Sequence, residues 1–190
     1  KKLECFPVMS GSALKGTGIG SFLEVFSYLS PTDYKRKEKS PFSGKVYKIR
    51  HDESGNRLTF IKALSGELHV KDEFTFEIEE EIYSEKINEI RIYNGKKYEV
   101  KSGVSAGDIF AVTGLKIPGC GMDLAAGKVN RISKASYYLT PALQSRVNIL
   151  DETDPNTCLE KLRLLEAEDP MLSISFQEES GDILVSVMGK

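Results

Sequence analysis

The chain has 190 residues and a formal net charge of −2, enough for one or two domains with buried cores. That charge balance carries no overall basic signature, so a nucleic-acid partner must be met by a local patch. No apolar run is long enough to cross a bilayer as a helix, and the start, KKLECFPVMSG, is broken by Pro7 and Gly11 too soon for a secretory signal. A cytoplasmic protein with no membrane partner is expected. Cys5, Cys120 and Cys158 are odd in number and scattered, as reduced thiols are, rather than set out as a disulfide framework. His51 and His69 stand outside any Cys/His cluster with zinc spacing, so both read as strand residues and no metal site is expected.

Residues 5–8 read as a short apolar strand, followed by the glycine-rich run SGSALKGTGIG. Phe22, Val25, Phe26 and Leu29 recur at helical spacing, and Pro31 ends that helix. Strand, glycine loop, helix is a common setting for a phosphate or nucleotide, because a helix N-terminus offers free N–H groups. The two generic nucleotide motifs nonetheless fail by one residue each. Thr17 stands where a phosphate-binding loop needs lysine, and Ser21 where a dinucleotide fingerprint needs its third glycine. A plain strand-to-helix turn fits the same residues. Thr32 to Ser40, with Lys35, Arg36, Lys37 and Lys39, reads as a solvated linker or as a basic arm.

From Pro41 onward short strands follow one another. Phe42 to His51 alternates loosely, with Tyr47 and Ile49 opposite Lys48 and Arg50. Gly55 to Ile78 predicts two or three strands broken at Ser65-Gly66 and Lys71-Asp72, and Phe74, Phe76 and Ile78 alternate with polar residues. Glu79-Glu80-Glu81 reads as an acidic loop, Lys86 to Tyr93 as a bulged strand, Asn94-Gly95 as a hairpin turn and Ile109 to Val112 as a strand buried on both faces. Many short strands without a convincing helix predict a small closed barrel. No nucleophile with a base is evident, so this part is expected to bind or to space rather than to catalyse. Pro141 to Leu150 predicts a strand. Asp154 and Pro155 open a helix, Glu168-Asp169-Pro170 stops it, and strands follow over Leu172 to Gln177 and Ile183 to Val187 around a Ser180-Gly181 turn. The order β-α-β-β is part of a split β-α-β-β-α-β sandwich.

Three stretches carry a family resemblance. Ser12-Ala13-Leu14 before the helix, then Ser65, Gly66, Leu68, Asp72 and Ala106-Gly107-Asp108-Ile109, then Glu168-Asp169-Pro170-Met171-Leu172 and Met188-Gly189-Lys190, occur in the order found in elongation factor G and its relatives. The form Leu68-His69-Val70-Lys71-Asp72, with Gly189-Lys190, resembles the tetracycline-resistance ribosomal-protection branch more closely. The resemblance implies an α+β, mostly β chain. It divides into the end of a P-loop GTP-binding domain (1–31), a linker (32–40), a β-barrel domain II (41–128) and a partial ferredoxin-like domain III (129–190).

It further implies that Ser12, Ala13 and Leu14 face a guanine base through backbone N–H groups, with GTP and magnesium held by the full-length parent and neither by this piece alone. The Walker loop, switch regions and Asn-Lys-x-Asp motif of such GTPases are not in the sequence, so GTP hydrolysis by this chain by itself is not expected. The implied partner is the ribosome, through small-subunit RNA and protein. Arg91, Lys96 and Lys97 at the Asn94-Gly95 hairpin tip are candidate phosphate contacts, though a solvated turn fits them as well. The implied role is tetracycline resistance by ribosomal protection, or else translocation or termination without a drug role, or a stand-alone binding module. A truncated last domain predicts an exposed apolar sheet face and self-association through it.

Overall fold

The structure is a computed structural model and describes residues 6–131, 141, 143–150, 153–178 and 180–187. The chain divides into two compact units, Lys1–Asp33 and Tyr34–Lys190.

In the first unit, residues 6–8 form no strand, and Cys5 lies outside the described residues. The strand expected there is replaced by extended chain leading into a tight loop, closed where Ser12 N–H donates to the Thr17 carbonyl at 3.0 Å. Helix α1 (Ile19–Leu29) follows. Gly18 caps it with φ 77° and no side-chain bond, and a Cβ there would lie 2.7 Å from the Ser10 carbonyl oxygen. Only glycine fits that approach. Phe22 and Phe26 stack at 6.0 Å between centroids, and the apolar stripe with Pro7, Val8 and Met9 lines a groove of about 380 Å³.

The second unit opens with one helical turn, α2 (Tyr34–Lys37), and then runs through short strands: β1 (Ser43–His51), β2 (Arg57–Ser65), β3 (Glu67–His69), β4 (Glu73–Ile78), β5 (Glu81–Lys86), β6 (Glu89–Asn94), β7 (Lys97–Lys101), β8 (Gly103–Ser105), β9 (Ile109–Thr113), β10 (Asp123–Ala125) and β11 (Val129–Arg131). They form a six-stranded antiparallel sheet in the order β10-β1-β2-β9-β6-β7, a three-stranded sheet β11-β4-β5 and a pair β3-β8. Val46, Ile61, Leu68, Phe74, Phe76, Ile90, Phe110 and Val112 make one core between these sheets, each 1% exposed or less. Burial of that apolar area is the main stabilising term.

Among the described residues the ladders do not close into the barrel expected from sequence. Sharp turns interrupt them: Lys71, Glu79 and Glu80 hold φ of 76°, 49° and 71°, and Gly114 holds 100°. Isolated bonds join the sheets instead, with Lys71 N–H on the Ile87 carbonyl at 2.9 Å and Ile87 N–H on Asp72 at 3.0 Å. At the other junction the Asn130 side chain bridges β10 and β4. Its Oδ1 accepts the Ala125 N–H at 2.8 Å, and its Nδ2 donates to the carbonyls of Thr75 and Ala125 at 3.1 Å.

Three local expectations also change. The predicted strand 86–93 is two strands, β5 and β6, parted at Ile87-Asn88, and the slip of parity at Ile87 marks that break rather than a bulge. Glu81 belongs to β5, so the acidic loop is Glu79-Glu80. In β1 the register shifts between Val46 and Lys48. That bulge turns Tyr47 outward, 44% exposed, while Ile49 is buried at 1%, so the two do not share a face.

After residue 131 the described chain resumes with β12 (Leu143–Arg146), α3 (Pro155–Glu168), a 3-10 turn at Pro170–Leu172, β13 (Ser175–Gln177) and β14 (Asp182–Val187). Asp154 caps α3, accepting the N–H groups of Asn156 and Thr157 at 3.0 and 3.1 Å. β14 lies between β12 and β13, antiparallel to both, so α3 joins two strands separated by a third, a split β-α-β arrangement. The expected strand 172–177 shortens to β13 because Pro170 and the Asp169 cap on Met171 N–H hold a turn at its start. Leu143 and Phe176 of this sheet are 52% and 39% exposed. Met188-Gly189-Lys190 lies outside the described residues. The C-terminal end of α3 is fixed to the end of β1: Glu168 Oε1 accepts the His51 N–H at 2.9 Å and meets its Nδ1 at 3.1 Å, with Arg50 Nη1 3.8 Å from Oε2.

Candidate functional site

The glycine loop is built by its own backbone. Gly11 and Gly18 lie too close to Thr17 and Ser10 to carry side chains, which pins the two ends of the loop together. Inside it, Ser12 Oγ accepts the Lys15 N–H at 3.4 Å, and the Ala13 carbonyl accepts the Gly16 N–H at 3.3 Å. Among the described residues, the N–H groups of Ala13 and Leu14 have no acceptor. The Leu14 side chain is 98% exposed, and Ala13 borders a shallow pocket of about 300 Å³ with Met9, Gly18, Ile19 and Phe22. Two adjacent unpaired N–H donors beside an apolar recess suit a flat heterocycle with an edge acceptor, such as O6 of guanine. Lys15 gives the loop one exposed cationic side chain. Among the described residues no group of three His, Cys, Asp or Glu side chains could hold a metal ion.

The hairpin tip separates the three cations proposed for it. β6 and β7 pair from Asn94↔Lys97 back to Ile90↔Lys101, and Gly95 takes φ 64° in the loop. Lys96 and Lys97 are exposed. Arg91 is not, with a side chain 13% exposed. Its Nε bonds Glu89, its Nη1 lies 3.4 Å from Asp52 Oδ2, and its Cζ sits 4.5 Å over the Tyr98 ring. Burial alone would lower the Arg91 pKa, but the Glu89 bond and other partners more than reverse this and the net shift is upward. Arg91 is therefore a half-buried cation holding the Asp52 turn to the sheet, and among the described residues the tip presents two free cations rather than three. Tyr98 is the residue missed in the sequence. The loop is Gly95-Lys96 rather than the expected Asn94-Gly95, and that one-residue shift is what places Tyr93 opposite Tyr98.

The Asp52 turn is also an acid-sensitive point. Asp52 accepts N–H groups of Asn56 and Ser54 at 2.8 and 3.1 Å. The Asn56 backbone bond, and to a lesser extent the Asn56 and Arg91 side chains and Ser54, hold its pKa below the ordinary 3.8 against the opposing effect of burial. A carboxyl with a depressed folded pKa stabilises fully above its unfolded value and loses that contribution as pH falls through the folded value. Urea titrations below about pH 4 should therefore show a shallower loss of stability in Asp52→Asn than in the parent chain. Equal slopes would remove Asp52 from the acid response.

No protein-family model matches the chain. Elongation factor G 2 of Desulfotalea psychrophila is 31% identical over 206 residues, covering 99% of this chain and 29% of that protein. Elongation factor G 1 of Bdellovibrio bacteriovorus is 28% identical over 208 residues, covering 100% of this chain and 29% of that protein. A crystal structure of a Thermus thermophilus protein matches with a TM-score of 0.73 at 22% identity, over 95% of this chain and 27% of that one. The chain is homologous to elongation factor G along its whole length, and it spans 29% of the length of these curated relatives.

Proposed function

We propose that this chain is a piece of a ribosome-acting translational GTPase of the elongation factor G type. Its parts are the last guanine-recognition loop, a β-rich domain II that docks on small-subunit ribosomal RNA, and the start of an α+β domain III. The observation that carries this reading is the 31% identity to an elongation factor G over 99% of the chain. In the longer protein, which works in the cytoplasm, GTP bound with magnesium supplies the free energy of hydrolysis for a rearrangement on the ribosome. The residues here that would touch the nucleotide are Ser12, Ala13 and Leu14, through the base edge. Residues 34–187 supply docking and transmission, with Glu168 tying α3 to β1.

The role in translocation or termination is the simpler reading. A second reading is ribosomal protection against tetracycline. Leu68-His69-Val70-Lys71-Asp72 supports it, with Lys71 at φ 76° where the elongation-factor pattern has glycine. Drug susceptibility of a sensitive host carrying the complete gene separates the two. Protection of the host selects the second reading, and an unprotected host the first.

Ribosome docking is tested by co-sedimentation of this chain with small subunits. Lys96→Ala with Lys97→Ala should weaken binding uniformly and reduce the salt slope by about two, roughly one per phosphate contact. An unchanged slope removes the hairpin tip from the interface.

A further inference from the structure

The solvent face of the six-stranded sheet carries a row of aromatic rings that neither the loop nor the hairpin tip uses. Tyr47 of β1 meets Phe60 of β2 edge-on at 6.1 Å between centroids, Phe60 meets Tyr93 of β6 at 5.5 Å, and Tyr93 meets Tyr98 of β7 at 5.3 Å. β9 runs between β2 and β6 and places Ala111 opposite both Phe60 and Arg91. A methyl group at that point leaves room for the rings of Phe60 and Tyr93 to meet above it. The bulge in β1 adds the outer end of the row by turning Tyr47 outward. The two end rings are the open ones, Tyr47 44% and Tyr98 48% exposed, while Phe60 and Tyr93 are half-buried between them.

The same face is cationic. Lys48 Nζ lies 5.8 Å from the Phe60 centroid, and Arg91 covers Tyr98 at 4.5 Å. Lys45, Arg50 and Lys62 extend the set along β1 and β2. Lys45 meets Asp123 at 3.5 Å, Arg50 meets Glu168 at 3.8 Å, and Lys62 bonds the Gly107 carbonyl under the Tyr34 ring. Lys48 is exposed and, among the described residues, has no ion-pair partner.

We infer that this row is a stacking platform for unpaired RNA bases, one on Tyr47 and one on Tyr98, with Lys48, at the Tyr47 end, meeting a phosphate of the strand that runs between them. A half-exposed ring on a sheet face offers a base the side that no neighbour covers, which for Tyr98 is the side away from Arg91, and an uncompensated cation in the row complements a polyanionic backbone. Aromatic rings serve protein interfaces as well; the uncompensated Lys48 among them favours a polyanionic strand. The inference rests on the ribosome reading only for RNA being the ligand class at hand.

The test is fluorescence anisotropy of a labelled single-stranded RNA of about 12 nucleotides, against the same strand in a duplex, with a parallel co-sedimentation on small subunits. The single strand should bind and the duplex should not. Tyr47→Ala and Tyr98→Ala should each weaken binding about tenfold. Tyr47→Phe and Tyr98→Phe should bind as the parent chain does and also control for folding. Lys48→Ala should lower the salt slope by roughly 0.7. Alanine variants that keep the parent circular dichroism and parent affinity would overturn the inference, as would equal binding of the duplex. Ribosome binding lost in both alanine variants without any binding of the oligonucleotide would assign the face to a protein and overturn it too. Ribosome binding insensitive to the row would overturn it and leave the ribosome reading standing. Row-dependent RNA binding with no ribosome binding would support it and remove that reading.

Discussion

Asn130→Ala is expected to destabilise the second unit by about 3 kcal/mol or more, lowering the thermal midpoint by roughly 10 °C. Asn130 is 6% exposed, and its amide bonds the Ala125 N–H and carbonyl and the Thr75 carbonyl. Alanine would leave the half-buried Ala125 N–H and carbonyl without this partner, each costing about 1–3 kcal/mol. Asn130→Asp should be no better. Its carboxylate cannot donate to Thr75 or Ala125 and would press negative charge against their carbonyls. Scanning calorimetry of both variants measures this. A midpoint within about 2 °C of the parent chain, less than 1 kcal/mol for a chain of this size, would mean that packing alone closes the junction between β10 and β4.

Gly66→Ala should cost about 3 kcal/mol and free the chain before β1. Gly66 holds φ 70°, where a side chain costs about 1–3 kcal/mol. A Cβ there would also stand 2.5 Å from the Ser40 carbonyl oxygen and from the Phe42 nitrogen. Backbone must move, and Phe42, 4% exposed, leaves its place in the core. The same movement breaks the bond from Gly66 N–H to the Lys37 carbonyl. Trypsin should then cut faster among Lys35, Arg36, Lys37 and Lys39. Gly95→Ala is the control, since it shares the positive φ, at 64°, but opens onto empty space, and should cost only about 1 kcal/mol. Equal effects of the two substitutions would show that φ, not the seat of residues 37–42, sets the penalty.

These two positions also mark what the sequence makes legible. Signals confined to a few neighbouring residues were readable: the Asp154-Pro155 helix start, the alternation of Phe74, Phe76 and Ile78, and a hairpin turn at Asn94-Gly95, one residue from the loop observed. Gly66 was readable as a turn, but not as the seat of residues 37–42. The three-residue strands β8, β10 and β11 were not readable, because each is held by partners distant in the chain rather than by its own pattern, whereas β3 fell between the two breaks read at Ser65-Gly66 and Lys71-Asp72. Asn130 gave no signal, since a polar residue between short strands looks like loop chemistry until its amide is seen taking the place of a ladder. For the candidate sites, the Ser12-Ala13-Leu14 segment was singled out by resemblance, and its geometry follows from glycines visible in the sequence. Arg91 misled, because a cation two residues before a turn looks exposed when Glu89, Asp52 and Tyr98 are not yet placed around it. Tyr47 was assigned to the wrong face because a bulge resets the alternation on which such assignments rest.

The central claim, that this chain is part of an elongation factor G-type GTPase, is tested most directly by GTP hydrolysis of the complete gene product with and without ribosomes. Slow hydrolysis alone and strong stimulation by ribosomes are the expected result. Hydrolysis that ribosomes do not change, or a complete product that neither binds nor hydrolyses GTP, would contradict it.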